Sequence, residues 1–323
     1  MNINTFKNAR RRLYNPPASR KEQVRSAVVK ACQDSHGIYG YRRVYAVCRR
    51  QGLTVGEKTI RAIMSEENLH PKSKRTLKYR SYKGETAHRP DNRCLVGDID
   101  TVTANKTTVS ARYRALATQR RDNNQPDLVH DFYADRPNEK FGTDITEFAC
   151  LDAKVYFSPM IDFYDNMPVT YTVSTSPNTE LVNSMLTQAK EALNIEHQPM
   201  IHSDRGWHYR HKDWVELLTD HTHNQGQCPT CQPGKACDKA WIIRPSLSRL
   251  GNSGDNARVE GFFGLIKREL YAADIRPEKL TAEEFIRYLE DYLDWFVHHR
   301  LTTASPDGKY TTLAQQRALV TAS

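Results

Sequence analysis

Three carboxylates in this 323-residue chain stand where an acidic side chain is least expected without a purpose. Asp144 sits in FGTDITEF, a run over 141–148 that reads as a strand, an environment that disfavours Asp. Asp204 follows the short apolar strand at 200–202, and the ends of strands are where α/β sheets hold ligands. Glu260 falls in a stretch over 256–271 with the apolar stripe Val259, Phe262, Phe263, Ile266 and Leu270, the spacing of a helix with one buried face. Asn256 and Lys267 share its polar face, and Gly264 leaves room beside the carboxylate. Three carboxylates brought together without cations would repel and rise in pKa. A divalent cation removes that cost. Mg²⁺ (or Mn²⁺) takes hard oxygen ligands and keeps several waters, so two or three carboxylates suffice. Two such ions about 3.5–4 Å apart activate an attacking oxygen and stabilise a leaving one, the chemistry of phosphodiester cleavage and transfer. Taken singly, a strand Asp or a helix Glu is more often a surface or hydrogen-bonded residue. Residue types and settings alone leave both readings open.

A second constellation lies in HTHNQGQCPTCQPGKACDKA, residues 221–240. Cys228, Cys231 and Cys237 with His223 (or His221) supply the four ligands of a tetrahedral Zn²⁺ site. In so polar a segment a metal would provide the folding energy that a core cannot. The spacing is not that of a standard finger, and three free thiols satisfy it as well. The chain has seven cysteines, an odd number that argues against a secreted disulfide framework.

The elements that must position these groups change character along the chain. Residues 22–70 read as helical. Val44, Val47 and Cys48 mark one short amphipathic helix, Gly52 interrupts, and Ile60, Ile63 and Met64 mark the next, a helix-turn-helix pattern with Lys58 and Arg61 off the apolar face. Residues 1–83 carry 20 Lys/Arg against 5 Asp/Glu, whereas the rest carries 27 against 33. Such asymmetry is the footprint of a nucleic-acid binder, although RNA or an anionic membrane surface satisfies charge alone. From 139 the pattern is strands at 141–148, 154–161, 169–173 and 200–202, with helices at 178–194, 212–220, 256–271 and 281–298, an α/β layer structure. The domains expected are a basic helical DNA-binding region at 1–83, a linker or insertion at 84–130, a catalytic core at 131–300 with the Cys-rich insertion at 221–240, and a tail at 301–323.

TDITEF around Asp144, IHSDRGWHY around Asp204, and SRLGNSGDNARVEGFFGLIKREL around Glu260 occur in that order. With these segments the chain resembles bacterial insertion-sequence transposases with a retroviral-integrase-type core. HGIYGYRRV and GLTVGEKTIRAIM resemble that family's helix-turn-helix. YLEDYLDWFVHHRL resembles its C-terminal helix, with Trp295-Phe296 where the family has an Asn-bearing pair. The resemblance implies an RNase H-like fold: a mixed five-stranded sheet flanked by helices, preceded by the helix-turn-helix domain. It implies an Asp-Asp-Glu metal triad on Asp144, Asp204 and Glu260, nicking of element ends by water, and attack of the freed 3′-hydroxyl on another phosphodiester. Partners so implied are double-stranded DNA, as terminal inverted repeats and as target, and further copies of the chain. Asp204 and Glu260 are 56 positions apart, more than the resemblance leads one to expect; the excess lies between Asp220 and Trp241. Residues 86–123 also look like additional sequence.

Two other functions fit parts of the pattern: an inactive copy that binds element ends and represses, and a less specific nuclease of the same fold. Lys267, Arg258 and Arg205 are further candidate DNA contacts near the triad. His202, Trp207 and His208 flank Asp204, with packing around the strand end as probable a role as chemistry. No apolar run is long enough to span a bilayer and the first residues lack the apolar stretch of a secretory signal, so the expectation is a bacterial cytoplasmic, nucleoid-associated protein without membrane contact.

Overall fold

The computed structural model describes residues 19–72, 92–98, 128–193, 198–220, 241–249, 253–302 and 310–321. The chain divides into two compact units. One comprises Met1–Arg75, Lys267–Ile275 and Arg300–Thr312; the other comprises Thr76–Ile266, Arg276–His299 and Leu313–Ser323.

The first unit contains α1 (Arg20–Asp34), α2 (Tyr41–Arg50) and α3 (Glu57–Glu66). The Ser19 hydroxyl accepts the Glu22 N–H and starts α1. The chain leaves α1 through His36 and Gly37, both with positive φ, and turns from α2 towards α3 at Gly52, where φ is 79°. Val44 and Cys48 of α2 and Ile60, Ile63 and Met64 of α3 are buried, as the helical period predicts; Val47 is half-buried. Each fully buried side chain of this size contributes roughly 1.5–3 kcal/mol. Lys58 and Arg61 are exposed, and the Arg61 guanidinium lies 4.8 Å from the centre of the Tyr41 ring. The same unit buries Glu269, which accepts from Arg300 at 2.6–3.1 Å.

The second unit is built on a six-stranded sheet of β3 (Lys140–Thr143), β4 (Thr146–Ala149), β5 (Lys154–Asp162), β6 (Pro168–Ser174), β7 (Met200–Ser203) and β8 (Arg244–Leu247). A separate pair, β1 (Leu95–Asp98) and β2 (Leu128–His130), runs antiparallel. β5 pairs with β6 on one edge. On its other edge it pairs antiparallel with both β3 and β4, in one unbroken register. β3, β7 and β8 then run parallel. The six strands therefore occupy five rows, the number expected. The strand expected over 141–148 is two strands, however. It breaks at Asp144-Ile145, where the Asp144 carboxylate accepts the Ile145 N–H at 2.7 Å and takes that backbone out of the ladder. Asp144 is therefore not inside a strand but in the gap between two.

The helices of this unit are α4 (Thr179–Ala192), α5 (Lys212–Leu218), α6 (Ala257–Ala272, whose residues from Lys267 belong to the first unit), α7 (Ala282–His298) and α8 (Leu313–Thr321). Val182, Met185, Leu186 and Ala189 of α4 and Trp214 and Leu218 of α5 pack with Phe141, Met160 and Ile201 of the sheet. Thr281 and Glu284 form a reciprocal capping box at the start of α7. The segment expected as a linker or insertion contributes β1, β2 and the side chain of Asn92 to this unit. The segment taken as a tail contains α8, held by Arg317 against Asp162, Asp165 and Asn138. Cys228, Cys231, Cys237, His221 and His223 lie outside the described residues. Among the described residues no helix is long and apolar enough to cross a membrane.

Candidate active site

The parallel register of β3 and β7 pairs Thr143 with Ser203. The next residue on each strand is therefore Asp144 and Asp204, two carboxylates in one row at the carboxyl ends of neighbouring strands, which lie about 4.8 Å apart. β8 ends in the same row, Leu247 opposite Ser203. A separation of 60 residues in sequence becomes adjacency because the register offset between the strands is the same 60.

Asp144 and Asp204 line one open cleft of about 250 Å³ with Ile145, Gly206, Trp207 and Tyr209. Burial raises the Asp144 carboxyl to about 7, with the Asp204 charge the second cause and Glu260 a smaller one; the Ile145 N–H and the Asn256 amide oppose the shift. Burial also raises Asp204, against the Gly206 N–H and the charges of His208 and Arg210. Among the described residues neither carboxylate has a salt-bridge partner. Their hydrogen-bond donors are backbone N–H groups and one amide: Ile145 N and Asn256 Nδ2 (3.2 Å) to Asp144, and Gly206 N (2.7 Å) to Asp204. Among the described residues the Asn256 Oδ1 is buried without a partner, while its Nδ2 faces Asp144.

Glu260 lies in the first turn of α6, where the helix dipole favours a negative charge. It is exposed, does not line the cleft, and is raised by partial burial. Asn256, four residues earlier and buried, ends the short turn that precedes the helix. Gly142 lets α6 approach this strand: a Cβ there would meet Val259 Cγ2 at 2.6 Å and the Phe163 ring at 2.4 Å. Among the described residues no three His, Cys, Asp or Glu side chains are gathered as a ready-made cation cage. The donor chemistry at Asp144 and Asp204 nonetheless fits a hard divalent cation. Both present carboxylate oxygens to an accessible cleft, and their mutual repulsion is the cost such an ion would remove.

The other basic candidates have local partners. Arg205 donates from Nε to the Ser248 carbonyl at 2.6 Å, and Arg258 donates from Nη2 to the Phe163 carbonyl at 3.0 Å. Lys267 is exposed and belongs to the first unit. Around Asp204 the three aromatic neighbours separate. His202 is fully buried, while Trp207 is 51% exposed and lies 4.0 Å from the His208 ring. Tyr209 buries its hydroxyl beside those of Thr143 and Ser158, none of the three making a well-formed hydrogen bond. Gly142, Tyr209, Asp255 and His130 were not singled out from sequence. Only Asp255 carried a signal, an acid next to Asn256 just before the Glu260 helix.

Comparison with known proteins gives two family matches, an integrase core domain over residues 134–234 and a helix-turn-helix-like domain over residues 19–76. The first includes Asp144 and Asp204 and stops short of Glu260. A putative transposase of insertion sequence element IS150 from Escherichia coli is 30% identical over 279 residues, 86% of this chain and 78% of that protein. An uncharacterized transposase-like protein from Haemophilus influenzae is 31% identical over 252 residues, 78% of this chain and 89% of that one. A probable transposase of insertion sequence element IS1353 from Shigella flexneri is 30% identical over 293 residues, 90% of this chain, but the chain spans only 46% of that relative's length.

Proposed function

Because the chain belongs to the insertion-sequence transposases that carry an integrase core, we propose that it cuts the ends of a mobile element and joins them to target DNA, using Asp144, Asp204 and Glu260. The observation that carries this reading is the row of Asp144 and Asp204 at the ends of adjacent parallel strands, open to one cleft and without a cationic partner among the described residues.

These carboxylates, with Glu260 as the third, would hold Mg²⁺ or Mn²⁺, which when bound activates an attacking oxygen and stabilises a leaving one. The protein's own contribution is placement. The Gly206 N–H fixes one oxygen of Asp204, and Ile145 N–H and the Asn256 amide fix Asp144, so the acceptor lone pairs that remain face a prearranged position. Water attacks the phosphorus at the element end and the 3′-oxygen leaves, taking a proton to become a hydroxyl. That hydroxyl then attacks a target phosphodiester, loses its proton, and releases the target's own 3′-oxygen. One P–O bond forms for each that breaks, so the joining step needs no external energy source. Helices α2 and α3, with Lys58 and Arg61 exposed on α3, are the surface for double-stranded DNA at the terminal repeats. Two such ends are held by a multimer of the chain.

The test is a strand-joining assay on labelled element ends in Mg²⁺, comparing wild type with Asp144→Asn. Joined product from the wild type alone supports the reading. End binding without Mg²⁺-dependent chemistry would make the protein a repressor copy, and cleavage without end preference would make it a nuclease.

A further inference from the structure

Asp255 is fully buried, yet its carboxylate accepts five hydrogen bonds. Its Oδ1 accepts from His130 Nε2 (2.7 Å) and Arg249 Nη2 (2.8 Å). Its Oδ2 accepts from Asn92 Nδ2 (2.8 Å), Arg249 N (2.8 Å) and Arg249 Nε (2.9 Å). Five donors on two oxygens exceed the roughly four lone-pair sites of a carboxylate, so no acceptor site is left open. Two of those donors, Asn92 and His130, come from the segment around β1 and β2.

The backbone of the same residue reaches the other side of the site. The Asp255 carbonyl accepts from His202 Nε2 at 2.9 Å. A carbonyl only accepts, so Nε2 carries the proton, and Nδ1 takes the Ser246 hydroxyl at 2.8 Å. His202 is two residues before Asp204 on β7. Phe132 stacks on the His130 ring (5.3 Å between centroids, 3° between planes) and meets the His202 ring edge-on at 6.3 Å, tying the two histidines together. The next residue, Asn256, donates to Asp144. Five residues after Asp255, on the helix that begins at Ala257, comes Glu260.

The dipeptide Asp255-Asn256 thus touches the strand that leads to Asp204, the carboxylate of Asp144, and the start of the Glu260 helix. We propose that Asp255 is a positioning residue for the phosphoryl-transfer site, clamped by Asn92, His130 and Arg249 so that α6 is held in a fixed place and angle against β3 and β7. The segment that contributes β1 and β2 is on this account a part of the catalytic framework rather than a spacer. The inference rests on the transposase reading for its consequence in activity, and on the hydrogen bonds alone for its consequence in structure. A burial-only role would predict that any substitution loses activity in proportion to stability. A positioning role predicts loss of turnover in protein that remains folded.

Three variants of the full chain test this: Asp255→Asn, His130→Ala and His130→Gln. Gln places an amide N–H near where His130 Nε2 stands. At a temperature where all are folded, Asp255→Asn and His130→Ala are expected to lower kcat for strand joining about 100-fold, the cost of a displacement of about 1 Å at a reacting group. KM for the DNA ends should stay within about 3-fold, while His130→Gln recovers to within about 3-fold of wild-type kcat. Hydrogen exchange of the amides at 256–262, measured without DNA or metal, should speed up at least 10-fold in His130→Ala and stay at the wild-type rate in His130→Gln. Equal turnover in Ala and Gln variants, or unchanged exchange at 256–262, overturns the inference. If wild type joins no strands, the transposase reading fails, and the exchange data still decide whether Asp255 and His130 clamp the helix.

Discussion

Two acidic pairs stand at opposite ends of β3. At the end of β5, Asp162 is buried, the nearby Asp165 is half-buried with its side chain covered, and Arg317 of α8 bridges them. It donates to Asp165 at 3.0 and 3.1 Å, to Asp162, and to Asn138 at 3.2 Å. Asp162 faces Phe141 in the register with β3. Three residues along that same strand path lies Asp144, paired in its row with Asp204, and there no guanidinium or ammonium forms a salt bridge among the described residues. The chemistry of the two pairs is alike and their neutralisation is not. Where an acidic pair serves structure, the chain supplies a cation of its own. Where it withholds one, the repulsion that remains is what a bound divalent ion would relieve.

The comparison can be broken from either side. The largest effect is expected at the uncompensated pair. Asp204→Asn should lower strand joining about 1,000-fold, equivalent to about 4 kcal/mol of transition-state stabilisation, with no loss of thermal stability because a repulsion is removed. Joining that survives within 10-fold would show that the row is not the reacting centre. At the compensated pair the effect moves to stability. Arg317→Met should cost about 3 kcal/mol in denaturant unfolding, since it leaves two buried carboxylates without their cation. An equal loss on Asp204→Asn would erase the distinction between the pairs.

A smaller and more local effect is expected at Gly206. A Cβ there would lie 2.9 Å from Asp204 Oδ1, while the backbone φ of −48° tolerates alanine. Gly206→Ala should therefore fold normally and turn over roughly 10- to 100-fold more slowly, through displacement of that one oxygen. A further effect is in pH dependence. With chelator present, the folded Asp144 carboxyl holds its proton up to about 7, whereas the unfolded one releases it near about 4. Its contribution to stability is thus fully present below about pH 4 and is lost as pH rises through about 7. Wild type should lose stability across that window relative to Asp144→Asn in urea unfolding at a series of pH values. Parallel curves would mean that Asp144 ionises freely.

Local pattern made some of this legible from sequence, and pairing hid the rest. Ile60, Ile63 and Met64 share a helix face in any context, so the helical unit could be read from period alone, and so could Glu260 on the polar side of α6. The family segments then marked Asp144 and Asp204. Their shared row was not legible, because it depends on a parallel register between strands 60 residues apart. The break at Asp144 was hidden for the same reason: the pattern over 141–148 is that of one strand, and it divides where the Asp144 carboxylate takes the Ile145 N–H and the register of β5 places Pro159, which has no N–H, opposite. Arg317 finds its partners more than 150 residues earlier in the chain, and Asp255 is buried by residues on four separate segments. Long-range ion pairs leave no periodic trace.

On the proposed function, Asp144 and Asp204 are the two strand-end carboxylates that would bind a divalent cation, with Glu260 as the third. Titration of Mn²⁺ into the full chain, followed by electron paramagnetic resonance, measures this without DNA and without turnover. Saturable binding is expected in wild type, lost in both Asp144→Asn and Asp204→Asn and unchanged in Arg317→Met. Equal Mn²⁺ binding by wild type and the Asp144→Asn, Asp204→Asn double variant would contradict it.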